Sequence, residues 1–169
     1  MSAAVKQRNN SDEVTRELWR AAESGDVDEL ARILPLIGDV NARNKYGMTA
    51  LMKAAYHGHE QIVRALLNHG ADPNLTRHDR FTALALAAFF GHTETVRVLI
   101  EHGARTEVVT RCGTSAYMWA TARTFDEAAR CIREESTAPK VTREPVVQNV
   151  IELQSHHHAA VAPAVVKTL

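Results

Sequence analysis

Histidine is the residue type in this chain that is best suited to chemistry, because a neutral imidazole can ligate a metal ion or transfer a proton near pH 7. The sequence contains nine histidines. Three of them are consecutive, His156 to His158, and could chelate a transition metal, but no cysteine or acidic ligand stands beside them. We interpret this run as part of a polar tract and expect no metal ion and no other cofactor.

Sequence motifs that place catalytic groups at a fixed spacing are missing from the chain. It has no Cys-x-x-Cys pair, glycine-rich phosphate loop, His-Glu-x-x-His motif or nucleophile elbow. Cys112 is predicted to lie at an exposed loop tip, but a reactive cysteine needs surroundings that stabilise its thiolate, and Arg111 is the one neighbour that suggests them. We therefore expect a protein that is not an enzyme.

Composition excludes several classes of protein. Twenty basic and twenty acidic residues give no net charge, which argues against nucleic-acid binding driven by bulk charge. No apolar run approaches the roughly 20 residues of a membrane helix, and residues 1–12 lack the apolar stretch of a secretory signal. Two cysteines are too few for a disulfide framework. We expect a monomeric protein of the cytoplasm, or alternatively of the nucleus, that binds neither nucleic acid nor membrane.

A repeat with a period of 33 residues organises the chain. Three kinds of dipeptide return at this interval, and a shared spacing at so many offsets indicates a repeat architecture. They are Gly58-His59 and Gly91-His92, Gly70-Ala71 and Gly103-Ala104, and the pairs Ala21-Ala22, Ala54-Ala55 and Ala87-Ala88.

Each unit of the repeat carries the local signals of two short helices. In the second unit, Thr49 is a suitable N-cap for a helix over residues 50–56, and Gly58 is placed to end it. A second helix is predicted up to Gly70, with its apolar residues spaced for one buried face: Ile62, Val63, Leu66 and Leu67. One such helix pair cannot bury its own apolar face, so stability must come from stacking, which the small Ala pairs permit.

These motifs resemble the ankyrin-repeat pattern. The second unit opens with Gly47-Met48-Thr49-Ala50-Leu51-Met52 and closes with Gly70-Ala71-Asp72-Pro73-Asn74, with Ala-Ala, Gly-His and Leu-Leu pairs between them. The resemblance implies an all-α solenoid of four helix-turn-helix units, joined by β-turn or hairpin loops. The solenoid is expected over residues 14–135, with repeats at about residues 14–43, 44–76, 77–109 and 110–134.

The segments on either side of the solenoid differ from it in composition. We expect residues 1–13 to form a flexible N-terminus. Residues 136–169 are expected to be a partly disordered tail, with a possible short helix over residues 145–153. That segment could cover the last repeat or dock another protein.

Departures from the repeat pattern mark the ends of the solenoid and one unusual turn. The first unit lacks the opening motif, and the fourth has Thr124-Phe125 where Gly-His is usual. Terminal repeats are expected to be atypical, so we interpret the fourth unit as a C-terminal cap. Arg80 stands at a turn position where Gly is usual, which predicts a strained turn.

The resemblance also implies where a partner would bind. Ankyrin repeats grip partner proteins with the loop tips and with the exposed face of the inner helix, which together line a concave groove. The residues at these positions are Lys45, Tyr46, Met48, Tyr56, His57, His78, Asp79, Phe81, Phe89, Phe90, Arg111, Thr114 and Arg123.

The side chains at these positions favour protein binding. The chain has nine aromatic residues, and five of them fall in this set, where aromatic and arginine side chains would suit an interface. Adjacent helix positions point in different directions, so at least one of Phe89 and Phe90 is expected to face the groove. A basic rim at the loop tips would favour an acidic, partly apolar partner; its members are Arg43, Lys45, Arg77, Arg80 and Arg111.

The sequence therefore predicts a non-enzymatic protein-interaction module that acts as an adaptor, scaffold or inhibitor. Two alternatives stay open. The chain could be a subunit of a larger complex anchored by its C-terminal tail, or a metal-binding protein that uses its histidines. Both His59 and His92 are interpreted as structural, because they lie at the helix–helix turn of their units.

Overall fold

A computed structural model describes residues 3–137, with side chains described from residue 13 to residue 136. In this range the chain forms eight α-helices and one short 3-10 helix. They are α1 (Ala3–Ser24), α2 (Val27–Ile33), the 3-10 helix Leu34–Leu36, α3 (Ala50–His57), α4 (Glu60–Asn68), α5 (Ala83–Phe90), α6 (Thr93–Glu101), α7 (Ala116–Ala122) and α8 (Asp126–Thr137). Most of the expected tail, including residues 145–153, lies outside the described residues.

The N-terminus differs from the expectation. Residues 3–13, for which we expected a flexible segment, are the first half of α1. The stretch Ala3–Ser24 contains no Gly or Pro to interrupt a helix, and its C-terminal half is anchored by the buried Leu18, Ala21 and Ala22. The helix therefore extends outward from the part that packs on the solenoid.

The helices form two layers, as an all-α repeat solenoid requires. An inner layer stacks α1, α3, α5 and α7 in order, and an outer layer stacks α2, α4, α6 and α8. The Ala pairs of α3 and α5 are fully buried between the inner helices, where larger side chains would hold the backbones apart. Leu66 and Leu99 are buried between the layers and have no exposed surface. The core joins the two helices of each repeat and also joins each repeat to the next, and these contacts between neighbours are what stabilise a solenoid.

Inner helices begin and end as the sequence predicts. The hydroxyl of Thr49 accepts a hydrogen bond of 3.3 Å from the backbone N–H of Met52, and Thr82 caps α5 in the same way. Gly58 ends α3 with φ +77°, a left-handed conformation that favours glycine. In the described loops, the β-type pairing is a single bridge between Val109 and Ser115, so the loops are turns and not extended hairpins.

Histidine rings tie the second and third repeats to the repeats before them. Nε2 of His92 donates a hydrogen bond of 3.0 Å to the carbonyl oxygen of Tyr56, and Nε2 of His59 donates one of 3.0 Å to that of Glu23. The His92 ring also fills the space beside Gly58, where a Cβ atom would lie 2.5 Å from Nδ1. Both histidines are therefore structural.

Asparagine side chains link the outer turns. Nδ2 of Asn74 donates to the carbonyl oxygen of Gly103 at 3.2 Å, and its Oδ1 accepts from the backbone N–H of Arg105 at 2.8 Å. Asn41 makes the equivalent pair of bonds with Gly70 and Asp72. These bonds satisfy backbone groups across the repeat boundary and fix the register of the stack.

Candidate partner-binding surface

Five aromatic rings form a continuous path along the inner layer, called here the aromatic path. The rings contact one another in the order Tyr56, Phe90, Phe89, Trp119 and Phe81. Successive centroid distances are 4.4, 4.9, 4.9 and 6.0 Å. The path crosses repeats two, three and four, and each contact lies in the range of favourable aromatic pairs.

The period of the repeat places these rings. Tyr56 and Phe89 are 33 residues apart and occupy the last turn of α3 and of α5. Phe90 follows Phe89 at the end of α5, and Trp119 extends the path from the middle of α7. The inner helices bury their Ala and Leu face against neighbouring repeats, so the opposite face is left to carry the rings. Tyr56 is 39% exposed, and the other rings are half-buried.

The side chain of Arg123 lies on the path. Its guanidinium is over the ring of Phe89, 4.1 Å from the centroid, and its Nη1 donates a hydrogen bond of 3.2 Å to the Phe89 carbonyl oxygen. At the two preceding repeat boundaries a histidine ring makes the corresponding bond. Phe125 stands at that histidine position and has no N–H to donate, so Arg123 supplies the donor from two residues earlier.

His57 lies next to Tyr56, the first ring of the path. Its ring contacts that of Tyr56 at 4.9 Å and stacks on that of His59 at 5.7 Å. Partial burial lowers the pKa of His57 below its ordinary value of 6.5. The nearby charges of His59, Lys53 and His92 act in the same direction, and that of Glu23 opposes them. Near neutral pH, the ring therefore adds an aromatic surface to the path and not a positive charge.

Backbone hydrogen bonds connect successive loop tips. The N–H of His78 donates to the carbonyl oxygen of Tyr46 at 3.4 Å, and its ring Nε2 donates to that of Lys45 at 3.2 Å. The N–H of Arg111 donates to the carbonyl oxygen of Asp79 at 3.1 Å. The tips of repeats two, three and four therefore form one connected edge. Tyr46 is 59% exposed on this edge, with the Lys45 ammonium 4.9 Å from its ring.

The basic rim is only partly available to a partner. Arg77 forms an ion pair with Asp79, which lowers the pKa of that carboxyl, chiefly through the hydrogen bonds between the two side chains. Arg77 also lies over the ring of Phe81. Four other cations at the tips have no ion pair with any residue of the part described: Arg43, Lys45, Arg80 and Arg111. Arg80 has φ +65°, as its glycine-type position predicts.

The thirteen residues chosen from the sequence divide into three groups in the structure. Lys45, Tyr46, Tyr56, His57, His78, Arg111 and Arg123 are exposed. Phe89 and Phe90 are half-buried members of the path, and their rings contact each other edge to face. Of the remaining four, Met48 and Phe81 pack against the core, Asp79 is paired with Arg77, and Thr114 accepts hydrogen bonds from Thr110 through its carbonyl oxygen.

Sequence reasoning missed Trp119, which joins Phe89 to Phe81. The 33-residue period could have indicated its place on the inner helix, because Trp119 occupies the same repeat position as Lys53 and Leu86 on the preceding inner helices. Its indole Nε1 is buried and has no hydrogen-bond partner among the described residues. The position of the ring is therefore set by its aromatic contacts.

Other kinds of site find little support in the described part of the chain. No group of three or more His, Cys, Asp or Glu side chains there could hold a metal ion, and residues 156–158 lie outside it. Cys112 is exposed at its loop tip, as expected, and Cys131 is half-buried on α8. The helices from residue 3 to residue 137 include none with the length and hydrophobicity to span a membrane.

Comparison with known families agrees with the repeat seen in the structure. A family model described as ankyrin repeats (3 copies) matches residues 18–110 and, in a second overlapping match, residues 70–144. The two matches together cover more than half of the chain.

Known relatives share single stretches of the repeat region. A stretch of 58 residues is 48% identical to the mitochondrial disaggregase of Bos taurus, covering 34% of this chain and 9% of that protein. A stretch of 39 residues is 54% identical to ankyrin repeat domain-containing protein 29 of Danio rerio, covering 23% and 13%. A stretch of 59 residues is 41% identical to ankyrin repeat and SAM domain-containing protein 6 of Rattus norvegicus, covering 34% and 7%. The chain thus matches only a small part of each of these longer relatives.

Proposed function

Since this chain belongs to the ankyrin-repeat family, whose repeats indicate a protein–protein interaction module, we propose that it binds a partner protein through the aromatic path and the loop tips. It acts by occupancy, as an adaptor, a scaffold or an inhibitor, and has no catalytic step of its own. Its place of action is the cytoplasm or the nucleus, where a chain with two unpaired cysteines is kept reduced.

One observation supports this proposal above the others. The aromatic path continues without a gap across three repeats, and each of its rings keeps part of its surface exposed, although Phe81 also packs against the core. Packing between repeats requires the Ala and Leu face, and does not require a Tyr with 39% of its surface exposed. Aromatic side chains grouped on one accessible face are typical of the energetically dominant part of an interface.

The aromatic path and the loop tips also determine what kind of partner this protein binds. The rings offer apolar area, and the unpaired cations at the tips offer positive charge, so the partner is acidic and partly apolar. The protein binds it as a monomer, because the inner face of one chain already carries the complete path.

Affinity capture with a matched control tests the proposal. The tagged 169-residue chain, its Phe89→Ala/Phe90→Ala variant and its Leu36→Ala variant are used to capture proteins from the cells that produce the chain. Leu36 is 71% exposed and lies on the 3-10 helix, away from the path, so its variant removes exposed apolar surface elsewhere. Far-UV circular dichroism verifies that all three proteins are helical.

The expected result is a protein that is captured by the wild type and the Leu36→Ala variant and lost with the double variant. That protein, produced separately, should bind the wild type in calorimetry. Equal capture by the wild type and the double variant would show that the aromatic path is not the binding surface.

A further inference from the structure

We infer that the partner presents an acidic peptide segment that also carries an aromatic or large aliphatic side chain. Arg123 binds one carboxylate of the segment, and the apolar side chain lies on Tyr56 and Phe90. This inference rests on the proposed function and specifies the chemistry of the ligand at the same surface. It is argued from three features of the described residues: the charge around the path, the fixed position of Arg123 and the distances between the rings.

The surface formed by the aromatic path and the loop tips carries more positive than negative charge. In repeats two to four, the carboxylate at the tips is Asp79, which forms an ion pair with Arg77. Glu23, which has the repeat position of Tyr56, forms an ion pair of 2.8 Å with Lys53. On the outer layer, by contrast, Arg64 and Arg97 each pair with two glutamates. The cations at the tips and Arg123 on the path are therefore among those that have no ion pair within the described chain.

The two arginines that already lie on the path disfavour a cationic ligand. A lysine or arginine from a partner would bind over an aromatic face, but Arg123 is already over Phe89 and Arg77 over Phe81. A further positive charge beside them would be repelled. An acidic segment would instead meet unpaired guanidinium groups.

Arg123 is held in place before a partner arrives. Its contact with the Phe89 ring and the bond from its Nη1 to the Phe89 carbonyl oxygen restrict the side chain. A guanidinium has five N–H donors, so this bond leaves others free, and no carboxylate of the described residues is paired with them. A fixed guanidinium binds a carboxylate with little further loss of side-chain entropy.

The apolar position lies next to this cation. Arg123 covers Phe89, the centroid of Phe89 is 4.9 Å from that of Phe90, and Phe90 is 4.4 Å from Tyr56. The separation from the guanidinium to the exposed Tyr56 ring is therefore on the order of 10 Å, which extended chain spans in about three residues. The segment should carry Asp or Glu about two or three residues from its apolar anchor.

Selection of random short peptides displayed on phage against the 169-residue chain tests this inference. Selected peptides are synthesised, and their affinities are measured by fluorescence anisotropy at low and at high salt. We expect Asp or Glu about two or three residues from an aromatic or large aliphatic residue, and affinity that falls as salt rises. Glutamine and asparagine analogues of the same peptides should bind at least about tenfold more weakly.

A pair of variants separates carboxylate binding from the structural role of Arg123. Arg123→Gln removes the guanidinium to which we assign both roles. Arg123→Gln/Phe125→His returns a ring N–H to the place that His92 and His59 occupy at the other boundaries. The double variant should recover thermal stability but still bind the selected peptides at least about tenfold more weakly than the wild type. Arg130→Gln, which changes an exposed cation of α8, should bind like the wild type.

The outcomes distinguish the two proposals. Two results would overturn the acidic-segment inference and leave the proposed binding surface intact. In the first, the selected peptides bind Tyr56→Ala weakly but are neutral or basic. In the second, they bind Arg123→Gln/Phe125→His as tightly as the wild type. If no peptide is enriched, or if affinity is unaffected by Tyr56→Ala, the proposed function fails and the inference fails with it.

Discussion

Nη1 of Arg123 donates a hydrogen bond of 3.2 Å to the carbonyl oxygen of Phe89, and so replaces at the last repeat boundary the histidine of the earlier ones. The replacement is possible because Phe125, at the histidine position, keeps the ring beside Gly91 but lacks a donor. The same guanidinium that completes the solenoid thus lies on the aromatic path.

Loss of this bond should be measurable in stability. Arg123→Gln replaces the guanidinium that bonds to the Phe89 carbonyl oxygen by a shorter amide side chain, and we expect the free energy of unfolding in urea to fall by about 0.5–1.5 kcal/mol. Adding Phe125→His should restore most of the loss, because the new ring can donate to the Phe89 carbonyl oxygen. A double variant no more stable than Arg123→Gln would contradict the equivalence of the two donors.

Gly58 should be sensitive to the addition of a single methyl group. Gly58→Ala places a Cβ at φ +77° and 2.5 Å from Nδ1 of His92. The left-handed conformation alone costs about 1–2 kcal/mol for a residue with a Cβ, and displacement of the ring adds to it. Gly38→Ala is the matched control, since a Cβ there meets nothing within 4 Å and its φ is not left-handed. Urea denaturation should show a loss for the first variant only.

Leu66 should contribute more to stability than an exposed leucine of the same size. It is fully buried between the two layers, so Leu66→Ala leaves a cavity and should lower the free energy of unfolding by about 2–5 kcal/mol. Leu36→Ala, at 71% exposure, should change it by less than about 0.5 kcal/mol. Similar losses for the two variants would mean that the layers are not closely packed at Leu66.

Stability should decrease in mild acid because of His57. Its pKa is lowered in the folded chain, chiefly by burial, so between its ordinary pKa of 6.5 and the lower folded value the unfolded chain binds more protons. The contribution of His57 is therefore fully present above pH 6.5 and is lost as the pH falls through the folded pKa. His57→Gln should flatten this part of the pH profile of the urea midpoint. A profile with the wild-type slope would show that other groups cause it.

Binding should depend on the most accessible rings of the aromatic path. Tyr56→Ala and Phe90→Ala should each weaken binding of the captured partner by about 2 kcal/mol in calorimetry. Circular dichroism should show unchanged helical content, because neither ring belongs to the fully buried core. Unchanged affinity in both variants would place the partner elsewhere on the protein.

Much of the fold could be predicted from the sequence because its determinants are local and recur. Thr49 marks the start of α3, Gly58 marks its end, and the 33-residue period then places the equivalent helices of the next unit. The helical N-terminus was not predicted. Residues 3–13 have no apolar period of their own, and their helix depends on continuity with the packed half of α1.

The contacts of the aromatic path and of the loop tips were predicted less completely, because they form between repeats. Family positions placed Tyr56, Phe89 and Phe90 on inner helices, where the structure has them. They could not show that Asp79 neutralises Arg77, which depends on the conformation of one turn. Nor could they show that Trp119 bridges Phe89 and Phe81, which depends on how α7 stacks on α5.

The histidine, asparagine and arginine links between repeats have a mechanical consequence. The longest of them joins residues that are 36 apart in sequence, so each link connects only adjacent repeats. If a force pulled the two ends of the solenoid apart, every boundary between repeats would carry the same load. Extension would begin at the weakest boundary and would leave the other repeats intact.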